Sequence, residues 1–461
     1  MKFGLIVAGY DPTGSAGIIL DSFTFRILEV YPLTAITVLT VQTPDKVITV
    51  EKISSDYVKD LIDHILSCFN IDVVKIGVLG DAEIANIVAD RISVLDCPIV
   101  VDPVIRAGDG TLLTDPDTLR VIEDRIIPKA TIVTPNVHEA EILAGMEIRS
   151  IDDMKTAAEI IAKKYGIEHV LIKGGHLMRE AENVTDVLYD KGSFMTITVK
   201  RLKVKDVHGT GCILSSAIAA YLAHGLDVPS AVKEAKKIVE LAMEFSIDLD
   251  YKRNLANVYA VVELQLERYK VIEKLKQAID LLKQSSEYVV DLIPEVRSNI
   301  AYALPAEYVR GIQDVAGIPG RITVVDGKIT CFSEPKFGAS WHVGRAVLAF
   351  MKYFPSYRAC MNIRYSEDIL EIAKDLGFKI ASFDRSEEPE EVRKVEGLSI
   401  PWGIERALKN VKEPPDIIYD KGAWGKEPQI RVFGKDPIDV VYKVIRIGIE
   451  YLRRKEESSK A

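Results

Sequence analysis

Short, largely apolar segments alternate with amphipathic helical segments through about the first 250 residues of the chain. Continuous apolar segments of this length are typical of strands that are buried on both faces of a sheet. The predicted strands are Phe3–Ala8, Ala35–Thr40, Val73–Ile76, Ile99–Val101, Thr131–Thr134 and His169–Ile172. The predicted helices between them include Ser55–Phe69, Ala82–Leu95 and Asp152–Tyr165. This alternation predicts an α/β fold in which helices flank a mostly parallel sheet.

The last part of this region has a different pattern. Val184–Tyr189 and Ser193–Thr198 flank the turn residues Asp190–Gly192, which predicts a hairpin and an antiparallel edge to the sheet. Helical periodicity then returns over Gly211–Ala223 and Pro229–Phe245.

A polar stretch, Asp248–Asn257, breaks the periodicity, and we place a domain boundary there. The predicted domains span residues 1–250 and 257–455. The second domain begins with a long helical pattern, Val258–Lys283, and continues as a mixed α/β region. Its predicted strands are Ile322–Val325, Ile329–Phe332, Lys379–Ala381, Ile417–Tyr419 and Ile430–Phe433.

The composition and net charge of the chain argue against several classes of function. The 461 residues carry a formal net charge of −9, so no global basic field attracts nucleic acid or an anionic membrane surface. The five cysteines lack the spacing of a zinc site and are odd in number, which indicates a reducing compartment. The apolar segment Phe3–Gly9 is too short for a signal peptide or a membrane span. We therefore expect a cytoplasmic protein with small-molecule partners, no nucleic acid and no membrane; the oligomeric state stays open, a homo-oligomer included.

A glycine-containing loop carries the clearest chemical signal in the first half. Asp206–Cys212 precedes an apolar helical segment, Ile213–Leu222. Glycines at a helix start let backbone N–H groups turn toward an anion that the helix dipole also favours. Gly209, Thr210 and Gly211 are therefore predicted to bind phosphate, although a tight turn before a core helix is the ordinary alternative.

Polar residues follow several of the predicted strands, at the carboxyl edge where open α/β sheets bind ligands. Asn136 is a candidate phosphate ligand there. Asp102 and Glu139 are candidate ligands for Mg²⁺, which phosphoryl transfer requires, and Lys173 is expected to neutralise transferring phosphate. Asp102 and Glu139 have the alternative of capping helices or lying at the surface.

The N-terminal motif Ala8–Asp21 places small residues after the first strand, and Asp21 can accept hydrogen bonds from an amino-substituted ring. At this point residues 1–245 resemble the hydroxymethylpyrimidine and phosphomethylpyrimidine kinases of thiamine biosynthesis, in the ribokinase-like superfamily. The resemblance rests on Ala8–Asp21, Gln42, Lys75–Gly77, Asp102–Val104, Thr134–Glu139, Lys173–His176 and His208–Cys212.

The resemblance implies that ATP phosphorylates 4-amino-5-hydroxymethyl-2-methylpyrimidine and then its monophosphate in one site. The positions that the family uses to contact the substrate ring match Gly9, Asp21, Gln42, Val78 and Val104. Cys212 stands where many ribokinase-like enzymes carry an aspartate base, as a cysteine does in the pyrimidine kinases. Lys173 is the other catalytic candidate of this half, for the charge that it brings to the phosphate.

Cys212 is the expected general base for the hydroxymethyl proton, and we expect the helix N-terminus to lower its pKa. A buried structural cysteine is the alternative. Val207 stands where the family usually has threonine, which puts one nucleotide contact in doubt. A pyridoxal-type vitamin kinase is a rival interpretation, against which Cys212 and Gln42 argue.

Three clusters in the second half combine glycine with cations, as a site for a phosphorylated ligand requires. They are Asp314–Arg321, Lys336–Arg345 and Asp420–Pro428. Ser340 is expected to cap a helix that begins near Trp341, and its first turn would place His342 and Arg345 on one face. Each cluster alone is also compatible with a surface turn.

Residues 260–455 resemble the ThiN-type thiamine-phosphate synthase domain. The resemblance rests on Pro294–Asn299, Gly317–Arg321, Phe337–Arg345 and Asp420–Pro428. It implies that this domain joins the pyrimidine diphosphate to 4-methyl-5-(2-phosphoethyl)thiazole and expels pyrophosphate.

In that reaction the enzyme must stabilise the leaving anion and position the thiazole nitrogen. Arg321 and His342 are the leading catalytic candidates, and Lys336, Arg345 and Lys426 are expected to hold phosphate. A buried structural histidine is the alternative for His342. A noncatalytic domain that senses thiamine phosphate is the rival interpretation for this half of the chain.

Overall fold

A computed structural model describes residues 1–175, 177, 181–423 and 427–460. The chain forms two compact units, Met1–Val262 and Glu263–Ala461. The polar stretch 248–257, proposed from the sequence as a boundary, therefore lies within the first unit. Its strand Asn254–Leu255 pairs in parallel with Val207–His208, directly before the glycine loop.

The strands of the first unit are β1 (Lys2–Tyr10), β2 (Val30–Gln42), β3 (Val47–Lys52), β4 (Val73–Ile76), β5 (Ile99–Val101), β6 (Ile132–Val133), β7 (His169–Ile172), β8 (Asn183–Asp190), β9 (Ser193–Lys200), β10 (Val207–His208) and β11 (Asn254–Leu255). As far as the structure describes it, the unit is built around a nine-stranded sheet in the order β3-β2-β1-β4-β5-β6-β7-β8-β9, and β10 and β11 form a separate pair. The central strands β2, β1, β4, β5, β6 and β7 are parallel, and β3, β8 and β9 add antiparallel edges.

Helices cover both faces of this sheet. They are α1 (Gly17–Ile27), α2 (Ser55–Cys68), α3 (Ala82–Ile92), α4 (Pro116–Val121), α5 (Val137–Ala144), α6 (Ile151–Tyr165), α7 (Thr210–Ala223) and α8 (Val228–Glu244). Strand β1 shows why the sheet needs a layer of helices on each face. Its successive side chains point to opposite faces, and both sets are apolar. Leu5 and Val7 pack into one apolar cluster, whereas Ile6 and Ala8 pack into the other.

The predicted fold class of the first half is confirmed, with its parallel centre and its antiparallel hairpin. The predicted strands and helices are all present, with ends that differ by a few residues; β2 starts five residues earlier than expected. The sequence pattern missed β3, whose residues are nearly all exposed and therefore show no buried face.

The second unit has a seven-stranded sheet, among its described residues, in the order β16-β13-β12-β17-β20-β19-β18. The strands of this unit are β12 (Ile300–Ala303), β13 (Val315–Gly317), β14 (Thr323–Val325), β15 (Lys328–Thr330), β16 (Lys336–Phe337), β17 (Ala359–Arg364), β18 (Ile380–Ser382), β19 (Ile417–Asp420) and β20 (Gln429–Gly434). The sheet is antiparallel apart from the pair β18 and β19, and β14 and β15 form a separate hairpin.

The remaining helices are α9 (Ala260–Gln284), α10 (Ser286–Val289), α11 (Trp341–Met351), α12 (Glu367–Asp375), α13 (Glu390–Lys394), α14 (Ser399–Leu408) and α15 (Pro437–Lys460). Alternate residues of β12 again enter two apolar clusters, Ile300 and Tyr302 on one face and Ala301 and Ala303 on the other. The mixed α/β prediction for this half is confirmed. Within the described residues, no helix combines the length and apolar character that crossing a bilayer would need.

Candidate active sites

The glycine loop of the first unit is held against the N-terminal motif. Gly209 is the N-cap of α7 and has a φ of +94°, in the left-handed region that favours glycine. A Cβ at this position would lie 2.1 Å from the carbonyl oxygen of Ser15. A Cβ at Gly211 would lie 3.4 Å from Lys173 Nζ and 3.8 Å from Asp102 Oδ2. The loop, Lys173 and Asp102 therefore adjoin, as the sequence predicts.

A partly buried ion pair lies beside this loop, with the Lys173 side chain 18% exposed and the Asp102 side chain 3% exposed. Lys173 Nζ donates to Asp102 Oδ1 at 2.8 Å, and Thr134 Oγ1 donates to the same oxygen at 3.2 Å. Burial opposes the charged lysine, but the carboxylates of Asp102 and Glu139 raise the pKa of Lys173 above its usual value. Lys173 is therefore a fixed positive charge at the sheet edge.

Asn136 and Glu139 cap α5 through two reciprocal hydrogen bonds. The Asn136 N–H donates to Glu139 Oε2 at 2.8 Å, and the Glu139 N–H donates to Asn136 Oδ1 at 3.0 Å. Burial raises the pKa of Glu139 to about 7, against the opposing charge of Lys173. Both side chains thus have a structural role, and their predicted contacts with phosphate and metal stay predictions.

Asp21 lies at the centre of a buried polar cluster that the sequence analysis described only in part. Lys75 Nζ donates to Asp21 Oδ2 at 2.6 Å, and Ser216 Oγ donates to Asp21 Oδ1 at 2.8 Å. Burial disfavours the charge on Lys75, but the Asp21 carboxylate holds the pKa of Lys75 above its usual value. Burial also raises the pKa of Asp21, against the attraction of Lys75. Each Asp21 oxygen already has a protein donor, and its predicted contact with a substrate ring stays a prediction.

Cys212 lies in the first turn of α7, where the charges of Asp21, Lys75 and Asp102 all act on it. Burial, followed by the charge of Asp21, raises the pKa of the Cys212 thiol to about 12. The expectation of a lowered pKa is therefore wrong. The helix N-terminus does not outweigh the removal of the thiol from water.

The N-terminal motif is organised by Asp11, which the sequence analysis did not single out. Its carboxylate accepts from the Thr13 N–H at 2.8 Å and from Ser15 Oγ at 3.2 Å. Burial opposes its charge, but hydrogen bonds, including one from Gln42, hold the pKa of Asp11 below its usual range. His208 Nε2 lies 3.7 Å from Asp11 Oδ2, so this carboxylate links the motif to the glycine loop.

The other predicted ring contacts lie around the same strand ends. A Cβ at Gly9 would lie 2.8 Å from Val38 Cγ2 and 3.8 Å from Val78 Cβ, so Gly9 and Val78 adjoin. The Val104 N–H donates to the Asp102 carbonyl at 2.8 Å.

Val207, where the family usually has threonine, is buried in β10 and pairs with Asn254. The structure thus gives Val207 a packing role, whereas its effect on nucleotide binding stays untested.

The second unit contains a cavity of about 1050 Å³. As far as its lining is described, it includes six basic side chains and three glutamates. The basic residues are Arg297, Arg321, Arg385, Arg393, Lys394 and Arg431, and the acids are Glu295, Glu396 and Glu427. This excess of cations fits a ligand that carries phosphate groups.

Arg321 and His342, predicted to be catalytic, both line the cavity. Arg321 has a φ of +70° and donates from Nη1 to the Val296 carbonyl. His342 is exposed at the cavity, yet its partial removal from water, followed by the charges of Arg321, Arg345 and Arg431, lowers the pKa of His342 below its usual value. The lowered pKa favours the neutral imidazole, in which one ring nitrogen is an N–H donor.

The predicted phosphate ligands of this half are placed differently. Arg345 is not among the residues described as lining the cavity; its guanidinium lies 5.1 Å from the Trp341 ring centroid and packs closely on Gly397. Lys336 is exposed on β16 and is likewise absent from the described lining. Lys426 lies outside the described residues. The structure therefore brings Arg321 and His342 together in the cavity without Lys336 or Arg345.

The helix predicted near Trp341 is α11, with Ser340 at its N-cap position. The Ser340 side chain makes no capping hydrogen bond, so the predicted side-chain cap is wrong. Ser340 instead packs on Gly317, where a Cβ would lie 2.3 Å from Ser340 Cβ. This close contact explains why glycine follows Ala316 at the end of β13.

Sequence reasoning gave no role to Asn299, which ends the Pro294–Asn299 motif, and missed Asn362; both line the cavity. The Asn299 N–H donates to Asn362 Oδ1 at 2.8 Å, and Asn299 Oδ1 accepts from the Ile318 N–H at 3.0 Å. These bonds fix three segments of the cavity wall to one another. The available signal for Asn362 was an asparagine within the otherwise apolar segment 359–363.

Two family models match the chain, one over each unit. The model for phosphomethylpyrimidine kinase matches residues 11–257, and the model for thiamine-phosphate synthase ThiN matches residues 274–446. The chain is 42% identical over 180 residues to the thiamine-phosphate synthase ThiN of Methanothermobacter thermautotrophicus, which covers 39% of this chain and 93% of the relative.

Among solved structures, the first unit resembles pyridoxal kinases. The ADP complex of Bacillus subtilis pyridoxal kinase matches with a TM-score of 0.52 and 31% identity, over 57% of this chain and 98% of that chain. The Staphylococcus aureus pyridoxal kinase with AMP-PCP and pyridoxal matches with a TM-score of 0.52 and 31% identity, over 56% of this chain and 94% of that chain. The predicted ribokinase-like fold is therefore confirmed.

One relative spans both units. The bifunctional thiamine biosynthesis protein ThiDN of Methanocaldococcus jannaschii is 34% identical over 445 residues, which cover 95% of this chain and 97% of that protein. With a family model matched to each unit as well, the chain belongs to the bifunctional ThiDN family of thiamine biosynthesis, in which a phosphomethylpyrimidine kinase domain precedes a ThiN-type thiamine-phosphate synthase domain.

Proposed function

We propose that the first unit transfers the γ-phosphoryl group of ATP to the hydroxymethyl oxygen of 4-amino-5-hydroxymethyl-2-methylpyrimidine, and then phosphorylates the resulting monophosphate to the diphosphate. The observation that carries this proposal is the grouping of the glycine loop, Lys173 and Cys212 beside one another at the sheet edge. Phosphoryl transfer depends chiefly on positioning and charge stabilisation, which this grouping supplies.

Each group has a distinct task in this scheme. Gly209, Thr210 and Gly211 bind the transferring phosphate through the backbone at the start of α7. Lys173, kept charged by Asp102, stabilises the negative charge that spreads over the phosphoryl oxygens. Cys212 accepts the proton of the attacking hydroxyl as the new bond to phosphorus forms.

Asp102 and Glu139 fit a supporting role toward Mg²⁺. Both are buried carboxylates, and oxygen ligands of this kind suit a hard divalent cation. Among the described residues no cluster of three or more histidine, cysteine or acidic side chains is placed to hold a metal, so phosphate and water oxygens would complete the shell. When bound, Mg²⁺ would neutralise charge on the ATP phosphates.

The kinase assignment is tested with a substrate panel. Purified protein is incubated with ATP, Mg²⁺ and either the pyrimidine alcohol, its monophosphate or pyridoxal, and ADP release is measured. We expect the highest kcat/KM with the two pyrimidines. A higher kcat/KM with pyridoxal would replace this proposal with the pyridoxal kinase interpretation, which the similarity to the two solved pyridoxal kinases favours.

For the second unit, we propose condensation of the pyrimidine diphosphate with 4-methyl-5-(2-phosphoethyl)thiazole to thiamine phosphate and pyrophosphate. The observation that carries this proposal is the cation-rich cavity, which contains both Arg321 and His342. The aminopyrimidine ring stabilises a methylene cation as the diphosphate leaves, so the protein must chiefly stabilise the leaving anion. Arg321 supplies forked donors, and neutral His342 supplies one N–H.

Arg321→Ala and His342→Ala are expected to lower thiamine-phosphate formation from supplied pyrimidine diphosphate by about 10²–10³-fold each, since each removes one donor to a developing anion. ATP-dependent kinase activity should stay near the wild-type value in the same preparations. Arg406→Ala is the matched control, because Arg406 is an exposed arginine that pairs with Glu387 outside the described lining. If folded wild-type protein binds thiamine phosphate but makes none, the sensor interpretation replaces the synthase proposal.

A further inference from the structure

Two buried arginines in the second unit share a single carboxylate. Arg385 Nε donates to Asp420 Oδ1 at 2.5 Å, and Arg431 Nη1 donates to Asp420 Oδ2 at 2.8 Å. Asp420 is 0% exposed, Arg385 is 6% exposed and Arg431 is 3% exposed. The Gly422 N–H also donates to Asp420 Oδ1, at 3.0 Å. The carboxylate is therefore held from three directions.

The charge of this group does not balance. Arginine stays protonated in proteins, so two guanidiniums on one carboxylate leave one positive charge in excess. The three glutamates of the described cavity lining do not cancel this excess, because the same lining carries six basic side chains. Burial opposes the charge on Asp420, yet the two guanidiniums hold its pKa below its usual range, so the carboxylate is ionised. A net charge in a poorly solvated position is costly unless a counter-charge reaches it. The group is therefore prepared for an anion.

Both arginines face the site where an anion would arrive. Arg385 and Arg431 each line the cavity although they are more than nine-tenths buried. Arg431 on β20 is paired with Asn362 on β17, and Asn362 is itself part of the cavity wall. The charge of Arg431 also acts on His342, which places it toward the proposed reaction centre.

Packing fixes the two guanidiniums in place. Their central carbons lie 5.5 Å and 5.9 Å from the centroid of the Phe383 ring. A Cβ at Gly403 would lie 2.3 Å from Phe383, so α14 packs directly against this ring. Donors fixed in this way lose little rotamer entropy when a ligand binds.

We infer that Arg385 and Arg431, held by Asp420, form an anion subsite in this cavity for a phosphate group of a substrate. The inference rests on the proposed synthase function and names a part of that site beyond Arg321 and His342. The shared chemistry is a phosphate-type anion, which comes either from the diphosphate of the pyrimidine or from the monophosphate of the thiazole. The excess guanidinium charge is the feature that recognises it.

The direct test is calorimetric titration of the full chain with inorganic diphosphate and, separately, with inorganic phosphate. The chain is first saturated with a non-hydrolysable ATP analogue, so that the kinase site is occupied. We expect Arg385→Met and Arg431→Met each to weaken the binding of at least one of these anions by about 10- to 100-fold, the value of a charge-assisted hydrogen bond. Arg406→Met is the matched control, since Arg406 is exposed and pairs with Glu387 at 2.9 Å.

Folding of the second unit is monitored by tryptophan fluorescence, because all three tryptophans of the chain lie in that half. If a methionine variant fails to fold, Arg385→Lys and Arg431→Lys replace it in the titration. These variants keep the positive charge but lose the forked donors of the guanidinium, so we expect a smaller loss of affinity for the anion. Unchanged affinity for both anions in folded variants would overturn the inference.

Steady-state kinetics of thiamine-phosphate synthesis identify which substrate supplies the anion. A raised KM for the pyrimidine diphosphate in the arginine variants assigns the subsite to the diphosphate, and a raised KM for the thiazole phosphate assigns it to the monophosphate. If neither KM rises while wild-type synthesis proceeds, the subsite is wrong and the synthase proposal stands. If wild-type protein binds the anions through these arginines but makes no thiamine phosphate, the subsite stands and the synthase proposal is wrong.

Discussion

Replacement of Cys212 tests whether a thiol with a raised pKa is the base of the kinase reaction. The thiol lies among Asp21, Lys75 and Asp102, and its burial raises its pKa to about 12. Cys212→Ala removes the proton acceptor and leaves the backbone of the glycine loop unchanged. We expect a fall in kinase turnover of about 10²–10⁴-fold, the usual contribution of a general base, with little change in nucleotide affinity.

The raised pKa sets the expected pH dependence. At pH 8, a thiol with a pKa of about 12 is ionised in roughly one molecule in 10⁴. This fraction grows about tenfold for each pH unit, so log kcat/KM should rise with a slope of about 1 and reach no plateau by pH 10. Measurement between pH 8 and 10 avoids the titration of Glu139, whose pKa is raised to about 7 by burial.

The assay is ADP release with the pyrimidine alcohol and with its monophosphate, across this pH range. Cys97→Ala is the matched control, because burial also raises the pKa of the Cys97 thiol, to about 11, while Asp72 and Asp96 rather than active-site groups surround it. Wild-type turnover in Cys212→Ala for both phosphorylations would refute the base assignment. A slope of 1 that persists in Cys212→Ala would place the titrating base elsewhere.

Three further perturbations follow from buried charges and from the position of the division between the units. Because its folded pKa of about 7 lies above the usual 4.5, Glu139 stabilises the fold fully below pH 4.5 and loses this contribution as pH rises through 7. Glu139→Gln, which retains a capping side chain, should therefore flatten the pH dependence of urea unfolding, by up to about 3 kcal/mol at pH 8, with far-UV circular dichroism as the readout. Lys75→Met leaves the buried Asp21 carboxyl without its partner and should lower the free energy of unfolding by about 3–5 kcal/mol in the same assay. Lys75→Met combined with Asp21→Asn should recover part of this loss. If the effects of the two substitutions simply add in the double variant, Lys75 and Asp21 are not coupled. A fragment of residues 1–262 should keep kinase activity. A fragment of residues 1–250 should lose much of this activity, because it lacks β11, the strand that pairs beside the glycine loop. Equal activity of the two fragments would show that β11 is dispensable.

Much of the kinase fold was predictable because a buried parallel strand carries its signal within four to six consecutive residues. Val73–Ile76 and His169–Ile172 are examples, and both match the structure. Strand β12 of the second unit, Ile300–Ala303, was missed although all four of its residues are buried. It is short and contains two alanines, which have weak strand preference, and its place in the sheet depends on partners distant in the chain.

The residues of the candidate sites were predictable where a single short motif both contains the residue and indicates what it does. Gly209 and Gly211 are examples, because a glycine pair before an apolar helix already describes a phosphate loop. The pKa of Cys212 was not predictable, since the helix N-terminus is visible in the sequence but the burial that outweighs it is not.

Lys75 shows the other limit of the sequence. Its position in a strand that is buried at every residue implies that an acid must lie nearby, but 54 positions separate it from Asp21 along the chain. The same holds for Arg385 and Arg431, which meet at Asp420 from different elements. Two acidic residues, Asp420 and Glu427, were visible in the Asp420–Pro428 motif. That two guanidiniums share Asp420 follows only from the fold. Charge excess at a buried site is thus a property of the three-dimensional structure, and it is the property from which an anion subsite can be inferred.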